Sequence, residues 1–235
     1  MTYVVSDLHG YPLDRFRKLL KKGGFGDDDF LFILGDVVDR CGDGGVEMLE
    51  WLMYQTNMEL LIGNHEAMLL SCSFLFDEVT DESIGALDAG QMELFGNWCA
   101  NGGDVTVKAL GDLNKRDPEA VADILDYLRE LPLYETAEAG GKDYLLVHAG
   151  LENFSPDRKL SDYSADELIW NSPKPGDRYF DGVTTVFGHT PTFSFGEKYR
   201  GGIYRTATWM DIDAGAAWGC EPVLLRLDDM KAFRL

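Results

Sequence analysis

Five short polar segments of this 235-residue chain follow apolar runs and contain residue types that bind metals or transfer protons. The chain has four histidines, and each lies in one of these segments within two residues of Gly, Asp or Asn: His9, His65, His148 and His189. A single histidine of this kind is more often a packing or turn residue that bonds to the backbone. Because all four share the same setting, packing explains them poorly, and the pattern indicates a metal or catalytic site.

Carboxylate, imidazole and amide side chains in these segments could together hold two divalent ions. The six candidate ligands are Asp7, His9, Asp36, Asn64, His148 and His189. Asp36 would bridge the ions, sharing the first with Asp7 and His9 and the second with the other three. This mixture of ligands favours Mn, Fe or Zn over Mg or Ca, and the sequence does not select among the three.

A pair of ions in this ligand set would suit hydrolysis at phosphorus. Two metals roughly 3.5–4 Å apart clamp the attacking and leaving oxygens of an in-line displacement. A metal also lowers the pKa of bound water to about 7, which generates hydroxide near neutral pH. The predicted activity is therefore hydrolysis of a phosphate ester, with a metal-bound hydroxide as the attacking group.

The apolar runs before these segments predict strands that alternate with helices. Predicted strands occupy residues 3–5, 30–34 and 59–62, and predicted helices occupy residues 12–22 and 44–54. In the first helix Pro12 suits the first turn, and Gly23 and Gly24 end it. The alternation predicts an α/β domain with a partly parallel sheet, in which ligands lie outside the carboxyl ends of the strands.

Residues from about 70 to 130 lack clear strands and predict a helical insertion over one edge of the sheet. Helices are predicted near residues 91–99 and 119–130. Strands return at residues 134–139, 143–147, 184–187, 209–213 and 223–227. The length suits one large domain that spans residues 1–235.

Taken in order, the five polar segments resemble the motifs of the calcineurin-like metallophosphoesterases, and more narrowly their phosphoprotein phosphatase branch in bacteria and phages. They are Asp7-Leu-His9-Gly10, Gly35-Asp-Val-Val-Asp39-Arg40, Gly63-Asn-His65-Glu66, His148-Ala-Gly150 and Gly188-His189-Thr190. The resemblance covers nearly the whole chain, from Asp7 to the segment that begins at Asp213. It implies two mixed β-sheets packed as a sandwich and flanked by helices, and it supports the six metal ligands.

The resemblance also implies catalytic roles for three residues and a second contact to substrate. His65 would protonate the leaving oxygen, oriented by Asp39, and Arg40 would bind the phosphate. A positioned proton donor contributes ~10²–10⁴-fold, and arginine binds phosphate oxygens with a planar fork. The predicted substrate-binding set is Arg40, Asn64 and Arg178.

Two positions depart from the family pattern. Cys41 follows Arg40 where the family usually has Gly, and a small buried filler is favoured over a redox-sensitive thiol there. Related bacterial enzymes often carry a phosphate-binding Arg shortly after a Trp between the last two metal histidines, but Ser172 stands at that place. Arg178 is the predicted substitute, with Lys174 as the alternative.

Several neighbouring residues allow more than one role. The segment from Trp98, with Thr106 after it, resembles one near the substrate cleft of related phosphatases, although packing is favoured for Trp98. Glu66 is expected to support its loop. Asp211 and Asp213 are expected either as partners of a metal histidine or as turn residues.

Charge and composition exclude some classes of partner. The formal net charge of −20 argues against nucleic acid, whose non-specific binding depends on Lys and Arg. No apolar stretch approaches the roughly 20 residues of a membrane helix, and the N-terminus does not resemble a signal peptide. We expect a cytoplasmic protein with reduced cysteines and without a membrane partner. The sequence does not determine the oligomeric state.

Three functions are compatible with these residues. The leading prediction is a protein serine/threonine phosphatase acting on phosphomonoesters. The alternative is a small-molecule phosphohydrolase such as a dinucleoside polyphosphate hydrolase, which an extra cluster of Lys and Arg would favour. The insertion has few such residues: Lys108, Lys115, Arg116 and Arg129. The third possibility is a non-catalytic, metal-binding interaction domain, which the full set of expected ligands disfavours.

Overall fold

The computed structural model describes residues 1–77 and 88–235, and ten strands in that part of the chain form two five-stranded sheets. They are β1 Thr2–Val5, β2 Phe30–Ile33, β3 Met58–Leu60, β4 Tyr134–Ala139, β5 Lys142–Val147, β6 Val183–Phe187, β7 Tyr204–Arg205, β8 Trp209–Asp211, β9 Leu224–Arg226 and β10 Lys231–Phe233. The first sheet has the order β10-β9-β1-β2-β3 and the second β4-β5-β6-β8-β7. In the first sheet β1, β2 and β3 pair in parallel, and β9 and β10 are added antiparallel. In the second sheet the central pairs are parallel and the outer pairs antiparallel, so both sheets are mixed.

Seven α-helices are present in the same described ranges. They are α1 Leu13–Gly23, α2 Val46–Leu52, α3 Asn64–Ser71, α4 Ala89–Ala100, α5 Asp104–Asn114, α6 Pro118–Arg129 and α7 Ala165–Ile169. None of them is both long and apolar enough to cross a membrane.

The two sheets pack face to face, as the alternation of side chains along their strands shows. Val4 of β1 and Leu146 of β5 belong to one buried cluster, which lies between the sheets. Their neighbours point the other way: Tyr3 and Val5 pack with the helices that cover the first sheet. Successive strand residues face opposite sides, so one strand serves two cores. The predicted α/β sandwich flanked by helices is confirmed.

Helices α4, α5 and α6 occupy most of the stretch predicted as a helical insertion. Their buried residues Trp98, Leu110 and Ile124 share one core with Val5 on the outer face of the first sheet. The remaining part of that stretch, residues 78–87, lies outside the described residues. That the whole chain is one domain stays a prediction.

Three helices and two strands were not predicted from the sequence: α3, α5, α7, β7 and β10. The other predicted elements agree with the structure to within a few residues at each end. The parallel strands β1, β2, β3, β5 and β6 each end just before one of the five polar segments, so these segments meet at the carboxyl ends of the two sheets.

Candidate active site

The five polar segments hold one another in place through backbone hydrogen bonds. Beyond the end of β1 and β2, Asp7 N–H donates to Gly35 O at 3.2 Å and His9 N–H donates to Asp36 O at 2.9 Å. These bonds extend the parallel pairing of β1 with β2 into the loops. The strand register therefore fixes the two loops that carry the first predicted ligands.

Two groups of candidate ligand atoms meet at a single carboxylate. In the described part of the chain, His9, Asp36 and His65 present atoms within 4.8 Å of one another, and so do Asp36, His148 and His189. Asp36 is common to both groups, as expected for a bridging ligand. The structure thus brings the predicted bridging position to the centre of the site.

Asp7 lies beside the first group and has an unpartnered oxygen. Its Oδ1 is 3.9 Å from His9 Nε2, is buried, and has no hydrogen-bond partner within the described residues. Burial raises the pKa of Asp7, and it raises the pKa of Asp36 well above the ordinary value. A divalent cation between such carboxylates would offset this cost of burying negative charge. The donor set therefore fits a metal pair.

The orientation of the histidine rings also fits metal binding. Nδ1 of His9 lies 3.0 Å from Val38 O, and Nδ1 of His148 lies 2.6 Å from Leu34 O. With Nδ1–H donated to a carbonyl, each Nε2 carries a lone pair toward the site. His148 Nε2 then faces Asn64 Oδ1 at 3.0 Å. Two acceptors held so close are stabilised by a cation between them.

The loops adopt strained backbone conformations where the candidate ligands lie. Among the described residues, eight that are not glycine have positive φ, and six of them belong to the site: Asp7, His9, Asp36, Asp39, Arg40 and His189. Such conformations cost about 1–3 kcal/mol each and persist only where the surroundings enforce them. Their concentration here marks the site as functional.

Glu66 enforces part of this geometry. Its buried carboxylate accepts backbone N–H groups of Asp36 at 2.8 Å, Val37 at 2.8 Å, Val38 at 3.2 Å and Gly63 at 3.0 Å. These bonds join the loop after β2 to the N-terminus of α3. Glu66 therefore supports its loop, as the sequence indicated.

His65 and Asp39 form a buried pair next to the metal ligands. Nδ1 of His65 lies 2.6 Å from Asp39 Oδ2. Asp39 is also held by Trp98 Nε1–H at 2.8 Å and by Thr106 Oγ1–H at 2.6 Å. Burial raises the pKa of Asp39 to about 6, although the bonds from Thr106 and Trp98 oppose that rise.

The sequence analysis favoured packing for Trp98, and Trp98 does lie in the buried core. It did not predict the hydrogen bonds from Trp98 and Thr106 to Asp39. Both side chains are buried and both orient the carboxylate that orients His65. Thr106 is the polar residue on the otherwise apolar buried face of α5, and this feature could have indicated its role.

Arg40 extends into the pocket above the ligands. Its Nη2 lies 3.1 Å from His65 Nε2, and its guanidinium lies 5.9 Å from the ring centre of Trp218. Burial and the charge of Arg40 lower the pKa of His65 to about 3. In this arrangement His65 is neutral: it donates Nδ1–H to Asp39 and accepts from Arg40 at Nε2.

The bond from Arg40 bears on whether His65 could bind a metal. His65 Nε2 lies 3.9 Å from Asp36 Oδ2, which is close enough for His65 to belong to a ligand group by distance alone. A nitrogen that accepts from a guanidinium cannot also bind a cation. These neighbours are compatible with the predicted role of His65 in proton transfer, which stays a prediction.

The sequence profile of the calcineurin-like phosphoesterases matches residues 2–213. The chain belongs to this family. Metallophosphoesterases of the family use divalent metal ions, in agreement with the ligand groups around Asp36.

Curated relatives of this metallophosphoesterase include two enzymes that are longer than this chain. It is 27% identical over 192 residues to a symmetrical bis(5'-nucleosyl)-tetraphosphatase from Acidovorax sp. (strain JS42), covering 80% of the chain and 57% of the relative. It is 28% identical over 195 residues to an enzyme of the same name from Chromobacterium violaceum, covering 81% and 56%. The chain thus spans slightly more than half the length of these relatives.

Two solved structures share the fold. A candidate diadenosine tetraphosphatase superposes with a TM-score of 0.61 at 18% identity, covering 100% of this chain and 92% of that one. A protein serine/threonine phosphatase from Saccharomyces cerevisiae superposes with a TM-score of 0.58 at 16% identity, covering 100% and 79%. At these identities the similarity concerns the fold alone.

The second predicted phosphate contact of this metallophosphoesterase lies outside the pocket. Arg178 is exposed and lies 3.3 Å from Asp181, and Lys174 donates its backbone N–H to Asp177. In the described ranges, Arg40 is the one Lys or Arg that lines the pocket at the ligands. A role for Arg178 stays a prediction that requires its side chain to move.

Ser172 occupies the position where related enzymes have the second arginine. Its Oγ lies 3.4 Å from the hydroxyl of Thr190, which follows His189. The position is therefore beside the site, but it offers a hydroxyl where an arginine was expected. Cys41 is partly exposed and lines a neighbouring cavity, so the expected fully buried filler is not what the structure has.

The two late aspartates do not hold a metal histidine. Asp211 accepts the backbone N–H of Asp213 at 2.9 Å, and Asp213 accepts that of Gly215 at 2.8 Å. Asp213 also lines the pocket and is buried. Of the two roles that the sequence allowed, the turn role agrees with these bonds.

Proposed function

We propose that this metallophosphoesterase hydrolyses dinucleoside polyphosphates. The main structural support is the pair of candidate ligand groups that share Asp36, with Arg40 and the His65–Asp39 pair beside them. That arrangement supports hydrolysis of a phosphate ester or anhydride. The substrate class is supported by the curated relatives, which match about four fifths of this chain and are named for symmetrical tetraphosphatase activity.

Dinucleoside polyphosphate hydrolysis is the alternative that the sequence analysis placed after a protein phosphatase. The leading prediction, a protein serine/threonine phosphatase, has support at the level of fold from the yeast phosphatase. The small number of basic residues in the insertion does not exclude a polyphosphate substrate. Bound divalent cations and Arg40 can together neutralise a phosphate chain without a cluster of lysines.

Each group of site residues has a separate role in the proposed reaction. The predicted ligands would hold two divalent ions, which activate water and offset the charge of the phosphates. Arg40 binds a phosphate oxygen on the side of His65 and, in doing so, leaves His65 Nε2 free to carry a proton. Asp39 keeps the imidazole oriented and stabilises its protonated form.

A symmetrical cleavage breaks the central anhydride bond of the tetraphosphate. Water adds to one central phosphorus, the bridging oxygen leaves with the other half, and two nucleoside diphosphates and, when these are fully ionised, two protons result. The leaving group is a phosphate, which is a far better leaving group than an alkoxide. Proton donation by His65 is therefore less important for this substrate than for phosphoserine.

The test compares substrates on the metal-loaded enzyme. We expect kcat/KM for diadenosine tetraphosphate to exceed that for a phosphoserine peptide by at least about tenfold, a discrimination of the size that one good group of contacts supplies. ADP should be the nucleotide product. A higher kcat/KM for the phosphopeptide would contradict the proposal, and ATP with AMP as products would contradict symmetrical cleavage.

A further inference from the structure

A second cavity adjoins the pocket at the metal ligands. It has a volume of about 410 Å³ and lies between α3, α4 and Trp170, which follows α7. The pocket at the ligands has a volume of only about 150 Å³. Phosphate groups fit that smaller pocket, so the remainder of a dinucleotide must lie against a neighbouring surface.

Contacts on either side of the catalytic groups show that the two cavities are neighbours. Met68, in the wall of the larger cavity, lies one turn after His65 on α3. On the other side, the ring of Trp170 lies 6.1 Å from that of His189. The wall is also tied to Arg40, whose backbone N–H donates to Gly102 O at 2.9 Å, directly after Asn101.

The wall of this cavity has the chemistry of a base-binding surface. Trp170 is 44% exposed and Leu94 is 46% exposed, so both offer apolar surface to solvent. Asn97 and Asn101 supply amides that can pair with the edge of a base. An aromatic ring with one free face binds bases by stacking, whatever their sequence.

The charge of the wall excludes a phosphate site. Asp166 is the one ionisable side chain among the described residues that line it, and no Lys or Arg does. A carboxylate repels phosphate but accepts hydrogen bonds from the exocyclic or ring N–H of a base. The cavity therefore suits the uncharged end of a nucleotide.

We propose that this cavity binds the base of one nucleoside of the substrate, stacked on Trp170. The inference rests on the proposed function, since it assigns part of that substrate to a surface. Trp170 is a specificity-determining residue in this account: it binds the nucleoside and leaves the chemistry at phosphorus unchanged.

The experiment measures binding of ADP and of pyrophosphate by calorimetry, with wild-type protein at a fixed Mn²⁺ concentration. Both probes carry two phosphate groups, so their difference reports the nucleoside. We expect ADP to bind about tenfold more tightly than pyrophosphate, and Trp170→Ala to remove most of that difference. Trp170→Phe should retain most of it, because a phenyl ring still stacks.

A matched pair of variants on α4 provides the control. Leu94 and Met92 are both exposed, but only Leu94 lines the cavity. Leu94→Ala should weaken ADP binding severalfold without affecting pyrophosphate, while Met92→Ala should affect neither. Because these side chains are exposed, the variants are expected to fold normally.

Three results would overturn the assignment. Trp170→Ala could leave the ADP affinity unchanged, or it could weaken ADP and pyrophosphate equally, or it could weaken a phosphoserine peptide and not ADP. The last result would make the cavity a peptide groove. Hydrolysis assays distinguish a failure of the cavity assignment from a failure of the proposed function. If Trp170→Ala binds ADP normally and still cleaves the tetraphosphate rapidly, only the cavity assignment is rejected. Trp170-dependent ADP binding without tetraphosphate cleavage rejects the proposed function alone.

Discussion

At the scale of single residues, His65 is held between partners of opposite charge. Asp39 accepts from Nδ1 and stabilises a protonated ring, while Arg40 donates to Nε2 and opposes protonation. Binding of a phosphate to Arg40 would remove the second effect. The pair can then deliver a proton to a leaving oxygen only when substrate is present.

His65→Asn should keep the metals and slow turnover in a way that depends on the leaving group. For a phosphoserine substrate, kcat should fall by about 10²–10⁴-fold, the usual contribution of a positioned acid. For diadenosine tetraphosphate the loss should be smaller, because a phosphate leaves without protonation. Parallel measurements of kcat on both substrates decide the point, and equal losses would contradict the assignment of His65 as the acid.

Thr106→Val should show that Thr106 positions Asp39. Removing a hydrogen bond to a buried carboxylate costs roughly 1.5–3 kcal/mol, or somewhat over tenfold in rate if it acts on the transition state. The pKa of Asp39 should rise further, since the bond from Thr106 lowers it. The acidic limb of the pH–kcat profile should therefore shift to higher pH.

Thr185→Val is the control for this measurement. Thr185 is also a buried threonine, and its hydroxyl has no hydrogen-bond partner within the described residues. The substitution should leave both kcat and the pH profile unchanged. A similar effect of the two variants would mean that Thr106 acts through general packing.

How far the sequence predicts such residues depends on whether they lie in the five segments. The ligands and His65 follow predicted strands, so the rule for the carboxyl ends of sheets placed them correctly together. Trp98 and Thr106 come from α4 and α5, which meet Asp39 only through tertiary packing. The buried threonine indicates a polar role, but the local sequence does not identify Asp39 as the partner.

At the scale of elements, α3 joins the third polar segment to the rest of the site. It begins at Asn64 and points its first N–H groups toward the centre, where His65 N–H donates to Asp36 Oδ1 at 3.1 Å. The sequence analysis predicts this segment as a loop that carries a ligand and the proton donor, and predicts no helix there. The same residues form the polar segment and the first turn of α3, so the sequence analysis did not identify the start of the helix.

The other missed elements have physical reasons as well. Helix α5 buries Thr106, Leu110 and Leu113 at helical spacing, but a threonine in that row weakens the apolar pattern. Strand β7 has two residues, and β10 is an edge strand that begins with a lysine. Their pairing partners define them more than their own composition does.

Glu66→Gln should loosen the connection between α3 and the loop after β2. An amide offers one acceptor oxygen to the four N–H groups that the carboxylate now binds. The expected cost of about 1.5–3 kcal/mol corresponds to a fall in Tm of roughly 3–12 °C for a chain of this length. Scanning calorimetry measures this, with the exposed Glu47→Gln as control. An unchanged Tm would contradict the role of Glu66.

At the scale of the whole molecule, the site concentrates buried acidic groups that affect stability without metal. Burial raises the pKa of Asp36, Asp211 and Asp213 well above the ordinary value. It lowers the pKa of His9 and that of His189, the latter to about 2, from the ordinary 6.5. The two sets have opposite effects on the dependence of folding on pH.

The metal-free protein should lose stability as pH rises above 6.5. Above that pH the folded carboxylates retain protons that the unfolded chain has lost, so stability falls as pH rises. Below it the histidines of the unfolded chain bind protons that the folded ones do not, which opposes the effect of the carboxylates, so stability should depend less on pH there. The Tm measured in chelator from pH 5 to 8 checks this, and a steady rise up to pH 8 would contradict it.

The central claim is that two divalent ions share Asp36, and elemental analysis of metal content per chain tests it most directly. Wild-type protein should contain two ions in its fully active form. Asp36→Asn should lose metal and activity together, whereas His65→Asn should keep both ions. Fully active protein with one ion or none, or Asp36→Asn with two ions and normal turnover, would contradict the account.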